Sequence, residues 1–280
     1  MAQCDLHTHS YYSDGSLSPK ELLALAQAAG LSAVVLSDHN TVAGLPEFLT
    51  AGENSPVEAV PGVEFSAEYR GKELHILGVF IRPEHFDGIT ELMEDFRKRK
   101  EQSTLMLIKA LKNAGMDVDY SAIKKATPDG NVNRAHIAGA LMEKGYAESV
   151  KDAFRKYLAP ERGYYTPPKR MDAFEAIRFI KSLGAVAVLA HPLLSLNEEE
   201  LRQFLPEAKK AGLDAMETMY SKYDTTETAL AKSLAAAHGL LESGGSDFHG
   251  KTKPDIQIGT GRGNLCIDGG LLEKLKEKVQ

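Results

Sequence analysis

Two histidines one residue apart, His7 and His9, stand in "CDLHTHSYYSDG", and Asp14 follows five residues after the second. Side chains at i and i+2 of a strand share a face, so this pair is spaced to grip one cation from one strand. Similar groups recur where apolar runs end. His39 follows "AVVLSD", Glu64 follows "AVPGV", His191 follows "AVAVLA", and Asp247 and His249 follow "LLESGG"; His75 sits inside "ELHILGV". Imidazole and carboxylate together suit Mn²⁺, Fe²⁺ or Zn²⁺ better than Mg²⁺ or Ca²⁺, which prefer oxygen. Taken singly, a histidine such as His75 or His191 beside an apolar run is more often a hydrogen-bonded core or rim residue. Six histidines and three carboxylates so placed would need separate explanations. His85, His136 and His238 lack that placement, and His85 and His238 read as structural or solvated.

The elements that must carry these residues alternate between apolar β-branched runs and helical patterns, the signature of β-α units and a largely parallel sheet. Ser18, Pro19, Glu21 and Gly30 mark the start and stop of one helix. "AVVLSD" (33–38) reads as a strand, and 59–81 as two strands joined by a turn at Arg70-Gly71. Asp172 and Glu175 open a helix that closes at Gly184, before the strand 185–192. Asn197 and Glu200 open another, ending near Gly212, before the strand 214–220; a further helix spans about 226–239. In a parallel β/α barrel the carboxyl ends of the strands open on one face, so ligands distant in sequence would converge there. Residues 88–166 break the rhythm with "ITELMEDFRKRKEQSTLMLIKALKNAG", "YSAIKKA", "NRAHIAGALMEKG" and "SVKDAFRKYLA", four helical stretches without a strand between them. The expected organisation is a barrel formed by 1–87 and 167–280 with a helical insertion at 88–166.

With 280 residues, the chain can form one large domain carrying an insertion. No apolar run approaches the ~20 residues of a membrane span, and no basic and apolar leader pattern opens the chain. Two cysteines, Cys4 and Cys266, with no C-x-x-C, point to a reducing cytoplasm rather than a disulfide framework. A net charge of -6 argues against broad contact with duplex nucleic acid. It leaves room for a small anionic substrate, because bound cations reverse the local field.

"DLHTHSYYSDG", "SDHN", "GVEFS", "ELHILG", "LAHP" and "GGSDFHG" follow one another as the motifs of the PHP (polymerase and histidinol phosphatase) family do. From Cys4 to about His249 the chain resembles that family. It is most similar to the stand-alone phosphoesterase branch of nucleoside 3',5'-bisphosphate phosphatases and 5'-3' exoribonucleases. The resemblance implies a distorted (β/α)7 barrel holding two or three divalent ions. It implies His7, His9, Glu64 and Asp247 around a first ion, and Asp14, His39 and His249 around a second with Glu64 bridging. His75, His191 and Glu64 would surround a third.

Such a site would hydrolyse a phosphomonoester with a metal-bridging hydroxide. Asp247 would orient the water or take its proton, and His191 would assist the leaving oxygen if the third position is empty. "GGSDFHG" lacks the G-x-S-x-G frame of a serine nucleophile. In the insertion, "NVNRAHIAGAL" resembles the segment of this branch that is implied to hold a second substrate phosphate, through Arg134 and His136. Read from the residues alone, they are equally a surface arginine and a helix-end histidine. Lys169 is a further phosphate candidate or a plain surface lysine. Tyr164 and Tyr165 are candidates for base stacking or form a hinge. The basic run "FRKRK" (96–100) reads as a solvated face. The expected partner is a small phosphorylated substrate, a nucleotide or short RNA. Histidinol phosphate is the alternative substrate, and a non-catalytic module such as those attached to polymerases is the alternative class.

Overall fold

The computed structural model describes residues 2–127 and 132–280. Eight strands occur in the order β1 (Gln3–Thr8), β2 (Leu31–Leu36), β3 (Glu58–Tyr69), β4 (Lys72–Val79), β5 (Met171–Asp172), β6 (Val186–Ala190), β7 (Ala215–Tyr220) and β8 (Leu241–Gly245). The described helices are α1 (Pro19–Ala28), α2 (Leu45–Gly52), α3 (Phe86–Asn113), α4 (Tyr120–Ala126), α5 (Arg134–Glu143), α6 (Val150–Ala153), α7 (Ala173–Ser182), α8 (Glu198–Ala211), α9 (Thr225–Ala237) and α10 (Gly269–Lys276). They fall into two compact units, Met1–Glu91 with Arg170–Gln280, and Leu92–Lys169; the first boundary falls within α3.

In the first unit the strands form one sheet in the order β1-β2-β3-β4-β6-β7-β8, with β5 paired to β3 off that path. The sheet comes back on itself: His9 N–H donates to Phe248 O (3.0 Å) and Asp247 N–H to His7 O (2.9 Å), joining the end of β8 to the end of β1. The result is a nearly closed seven-stranded barrel. Its core gathers Cys4, Leu6, Val35, Val60, Leu77, Val188 and Ala215 from successive strands, with Leu272 and Leu275 of α10 in the same cluster.

Local signals in the sequence set most of these elements. The Ser18 hydroxyl accepts from Glu21 N–H (3.1 Å) while the Glu21 carboxylate accepts from Ser18 N–H (2.8 Å). Asn197 and Glu200 repeat the reciprocal cap at α8; each cap is worth about 1 kcal/mol. The β3-β4 hairpin turns at Arg70 (φ 51°) and Gly71 (φ 77°), the two left-handed positions of a tight two-residue turn. Pairing then runs from Tyr69 opposite Lys72 to Gly62 opposite Val79.

β4 runs antiparallel to both β3 and β6, as the turn at Arg70-Gly71 implies for its pairing with β3, and His75, expected inside its strand, lies in the first half of it. One expectation needs correction. Glu64 does not end a strand, because β3 continues to Tyr69. It reaches the same rim because the chain after β2 pairs beside it, with Glu64 N–H donating to Asp38 O (3.1 Å) and Asn40 N–H to Glu64 O (2.9 Å).

The second unit is helical, with a core of Leu107, Leu111, Ile137, Ala138, Leu141 and Leu158 among others. Its last stretch is not the single helix expected. α6 gives way to a wider turn at Phe154–Leu158, where Ala159 N–H bonds to Phe154 O (3.0 Å). Pro160 cannot continue the ladder and holds Ala159 extended. Asn131 of the "NVNRAHIAGAL" segment lies outside the described residues.

Candidate metal centre

All nine ligand candidates lie in the barrel unit and form one continuous network. Glu64, fully buried, sits at its middle. Its Oε1 is 2.8 Å from His75 Nδ1 and 3.1 Å from His191 Nε2. Its Oε2 is 2.9 Å from His39 Nδ1, 3.2 Å from His7 Nε2 and 3.3 Å from His9 Nε2. The His7 and His9 Nε2 atoms face each other at 3.0 Å, and Asp247 Oδ1 lies 3.2 Å from His9 Nε2. On the outer side Asp14 Oδ1 is 3.1 Å from His249 Nε2 and 3.8 Å from His39 Nε2.

Backbone irregularities aim these groups. Between Asp5 and Thr8 the β1-β2 register slips by an extra residue on β1, the kind of bulge that redirects a side chain. His191 (φ 29°) and Asp247 (φ 57°) both hold the left-handed conformation that side chains avoid; such strain persists where the surroundings over-determine it. Gly245 lets β8 pass against β1, since a Cβ there would lie 2.2 Å from that of His7.

Three sets of donors fall within 4.8 Å of one another: His9, Asp14, His39 and His249; His7, His9 and Glu64; and His39, Glu64 and His75. His9 and His39 each serve two sets, so the partition is more shared than the family pattern implies. Several of these atoms are close yet unbonded. His9 Nδ1, His39 Nδ1, Glu64 Oε2 and His249 Nε2 are buried with no hydrogen-bond partner among the described residues. His39 Nδ1 is 2.9 Å from Glu64 Oε2 without hydrogen-bond alignment. Buried polar atoms are otherwise nearly always paired. Donors that converge without satisfying each other fit cations between them, and the nitrogen and oxygen set suits Mn²⁺, Fe²⁺ or Zn²⁺.

The electrostatics agree with a charge held in waiting. Burial pushes the His7 imidazole down, but Glu64 and Glu217 outweigh it and raise it well above its ordinary value. Burial and the neighbouring His39 push His9 down to about 3. His75 also resists burial and is raised to about 10 by Glu64 and Glu73. Glu64 and Asp247 are held well below the usual carboxylate range by these imidazoles despite their burial. Protonation of His7, His39 and His75 would compensate Glu64, and cations held there would supply that charge in place of the protons.

Several neighbours escaped the sequence reading. Asp247 Oδ2 accepts from the Tyr220 hydroxyl (2.8 Å) and from Lys253 Nζ (2.8 Å), leaving Oδ1 to the histidines. Asp38 accepts from Ser10 and Ser13 and so fixes the loop that carries Asp14. Glu217, buried in β7, accepts from the His7 ring and from His191 N–H. A glutamate inside the apolar "DAMETMY" was the available signal.

The substrate candidates Arg134, His136 and Lys169 belong to the helical unit. The Arg134 guanidinium lies 4.4 Å above the Tyr165 ring and its Nη1 donates to Leu158 O (3.2 Å), so part of it is engaged in packing. His136 Nδ1 accepts from Asn133 N–H (3.2 Å) in a capping box at the start of α5. Lys169 is exposed. Tyr164 and Tyr165 are half-buried against the unit's core.

Comparison with known proteins points the same way. The chain is 32% identical over 246 residues to a 5'-3' exoribonuclease of Haemophilus influenzae, covering 88% of this chain and 89% of that one. It is 27% identical over 261 residues to a 3',5'-nucleoside bisphosphate phosphatase of Chromobacterium violaceum, covering 92% and 91%. A candidate metal-dependent phosphoesterase of Bifidobacterium adolescentis, of known structure, superposes with a TM-score of 0.77 at 26% identity, covering 100% and 97%. No described helix is long and apolar enough to cross a membrane. With the PHP domain family model matching residues 5–165, the chain belongs to the PHP domain family, as an enzyme of its metal-dependent phosphoesterase class.

Proposed function

We propose that the enzyme removes a phosphate from a nucleotide bearing a second phosphate, such as a nucleoside 3',5'-bisphosphate, or acts at the 5' end of a short RNA. The observation that carries the metal-dependent reading is Glu64, ringed by five imidazole nitrogens within 3.3 Å and left with an unpaired oxygen. The relatives named above support the substrate class. His7, His9, Asp14, His39, Glu64, His75, His191, Asp247 and His249 would hold two or three divalent ions. Such ions supply the positive charge that activates water and clamps a phosphoryl group for in-line displacement.

The chain's own residues do the rest. Tyr220 and Lys253 occupy Asp247 Oδ2 and Oδ1 faces the histidines; from there Asp247 orients the attacking water or takes its proton. Lys253 adds a partly exposed positive charge beside that carboxylate. Where the third position holds no ion, His191 serves the leaving oxygen. Arg134 and His136 are proposed to hold the second phosphate, Arg134 by its planar fork and α5 by its N-terminus; Lys169 is the weaker contributor.

The test is hydrolysis by the Mn²⁺-loaded enzyme, read as phosphate released from adenosine 3',5'-bisphosphate, adenosine 5'-monophosphate and histidinol phosphate, as mononucleotide released from 5'-phosphorylated short RNA, and as monoester formed from a cyclic phosphodiester. Preference for the bisphosphate or the RNA supports the proposal; preference for any of the others overturns it. Asp247→Ala, folded by circular dichroism, should abolish release, and retained activity would remove Asp247 from the reaction.

A further inference from the structure

We infer that Glu217, which is no ligand candidate, is the positioning residue that decides which nitrogen of His7 is free to bind a cation; this rests on the metal-centre reading above. Glu217 lies in the interior of β7, fully buried between Met216 and Thr218. A carboxylate there is costly unless each oxygen is satisfied. Both are. Its Oε1 is 2.9 Å from His7 Nδ1, and its Oε2 accepts from the backbone N–H of His191 at 2.7 Å. One side chain on β7 thereby ties together β1 and the end of β6, the elements that carry two of the proposed ligands.

The proton pattern follows from the geometry. His7 Nε2 is the ring atom turned into the cluster, 3.0 Å from His9 Nε2 and 3.2 Å from Glu64 Oε2. It can give a lone pair to a cation only if the ring's remaining proton sits on Nδ1, the atom that faces Glu217. An acceptor at Nδ1 stabilises that tautomer, fixes the ring plane and makes Nε2 a better donor, as outer carboxylates do for metal-bound histidines. The second oxygen acts on the backbone. His191 has φ 29° and precedes Pro192, which disfavours helical and left-handed conformations alike. Acceptance of its N–H by Glu217 holds that conformation and with it the His191 ring, 3.1 Å from Glu64.

Both partners of Glu217 are therefore donors in the metal-competent state, and only a group with two acceptors suits them. Glutamine has nearly the same shape but offers one acceptor and one donor. With its NH₂ toward His7 it drives the proton to Nε2 and closes the ligand atom. With its NH₂ toward His191 it sets two donors against each other at 2.7 Å.

The experiment is Mn²⁺ affinity of Glu217→Gln and wild-type protein by chelator competition, with long-range ¹H–¹⁵N spectra of the histidine rings in Zn²⁺-loaded wild type. Affinity should fall roughly 10- to 100-fold in the variant, and His7 should carry its proton on Nδ1. A variant that binds Mn²⁺ as wild type does overturns the inference. So does a wild-type His7 protonated on Nε2, a readout that stands even if the variant fails to fold. Wild-type protein that binds no cation at all overturns the metal-centre reading itself and this inference with it.

Discussion

Replacing Glu64 by Gln removes one unit of charge from the middle of the network while keeping the side chain's size. Five imidazole nitrogens lie 2.8 to 3.3 Å from its oxygens. At about 3 Å and an effective dielectric constant of about 20, each protonated imidazole gains roughly 5 kcal/mol of attraction before desolvation is subtracted. Breaking a buried pair by deleting one partner leaves a net loss of about 3–5 kcal/mol. In the metal-free protein at pH 6 the variant should melt roughly 6–20 °C lower, taking about 2–4 °C per kcal/mol for a unit of this size. Once Mn²⁺ is supplied, the variant should carry less metal by elemental analysis. Its kcat/KM on adenosine 3',5'-bisphosphate should fall by more than the ~100-fold that loss of an outer partner costs. A Glu64→Gln protein with wild-type metal content, and a Tm within about 2 °C of wild type when stripped, would refute the assignment of Glu64 as the shared ligand.

Arg134→Ala should lower kcat/KM for a two-phosphate nucleotide roughly ten- to hundred-fold, mainly through KM, as expected for a charge-assisted contact of ~1.5–3 kcal/mol. An equal loss on a single-phosphate ester would instead assign Arg134 to its packing on Tyr165 and Leu158. A pH effect follows from His75, which Glu64 and Glu73 raise to about 10 against the burial that opposes them. Because the folded value exceeds the ordinary 6.5, the stabilisation is complete below about 6.5 and is lost as pH rises through about 10. The Tm of chelator-treated protein should therefore decline from pH 7 to 10, and His75→Gln should flatten that decline; a flat wild-type profile would contradict it.

Much of this molecule was legible in one dimension. Capping pairs such as Ser18 with Glu21 and Asn197 with Glu200, the Asp172 cap of α7 and the left-handed turn at Arg70-Gly71 are local, so the sequence shows where those elements begin and bend. The types of the nine candidate ligands were visible too, because imidazoles and carboxylates stand out against apolar runs. Tertiary structure decided that β4 also pairs with β6, which sets His75 opposite Ala190 and beside His191. It also decided that His9 and His39 are each shared between donor sets, and that Tyr220, Lys253 and Glu217 hold the groups around Asp247, His7 and His191. A strand pattern has the same period whichever way the strand runs, and a bulge shifts faces without changing composition. Which atoms finally share a few ångströms depends on how the sheet closes, and that is settled only when every strand has found its neighbours.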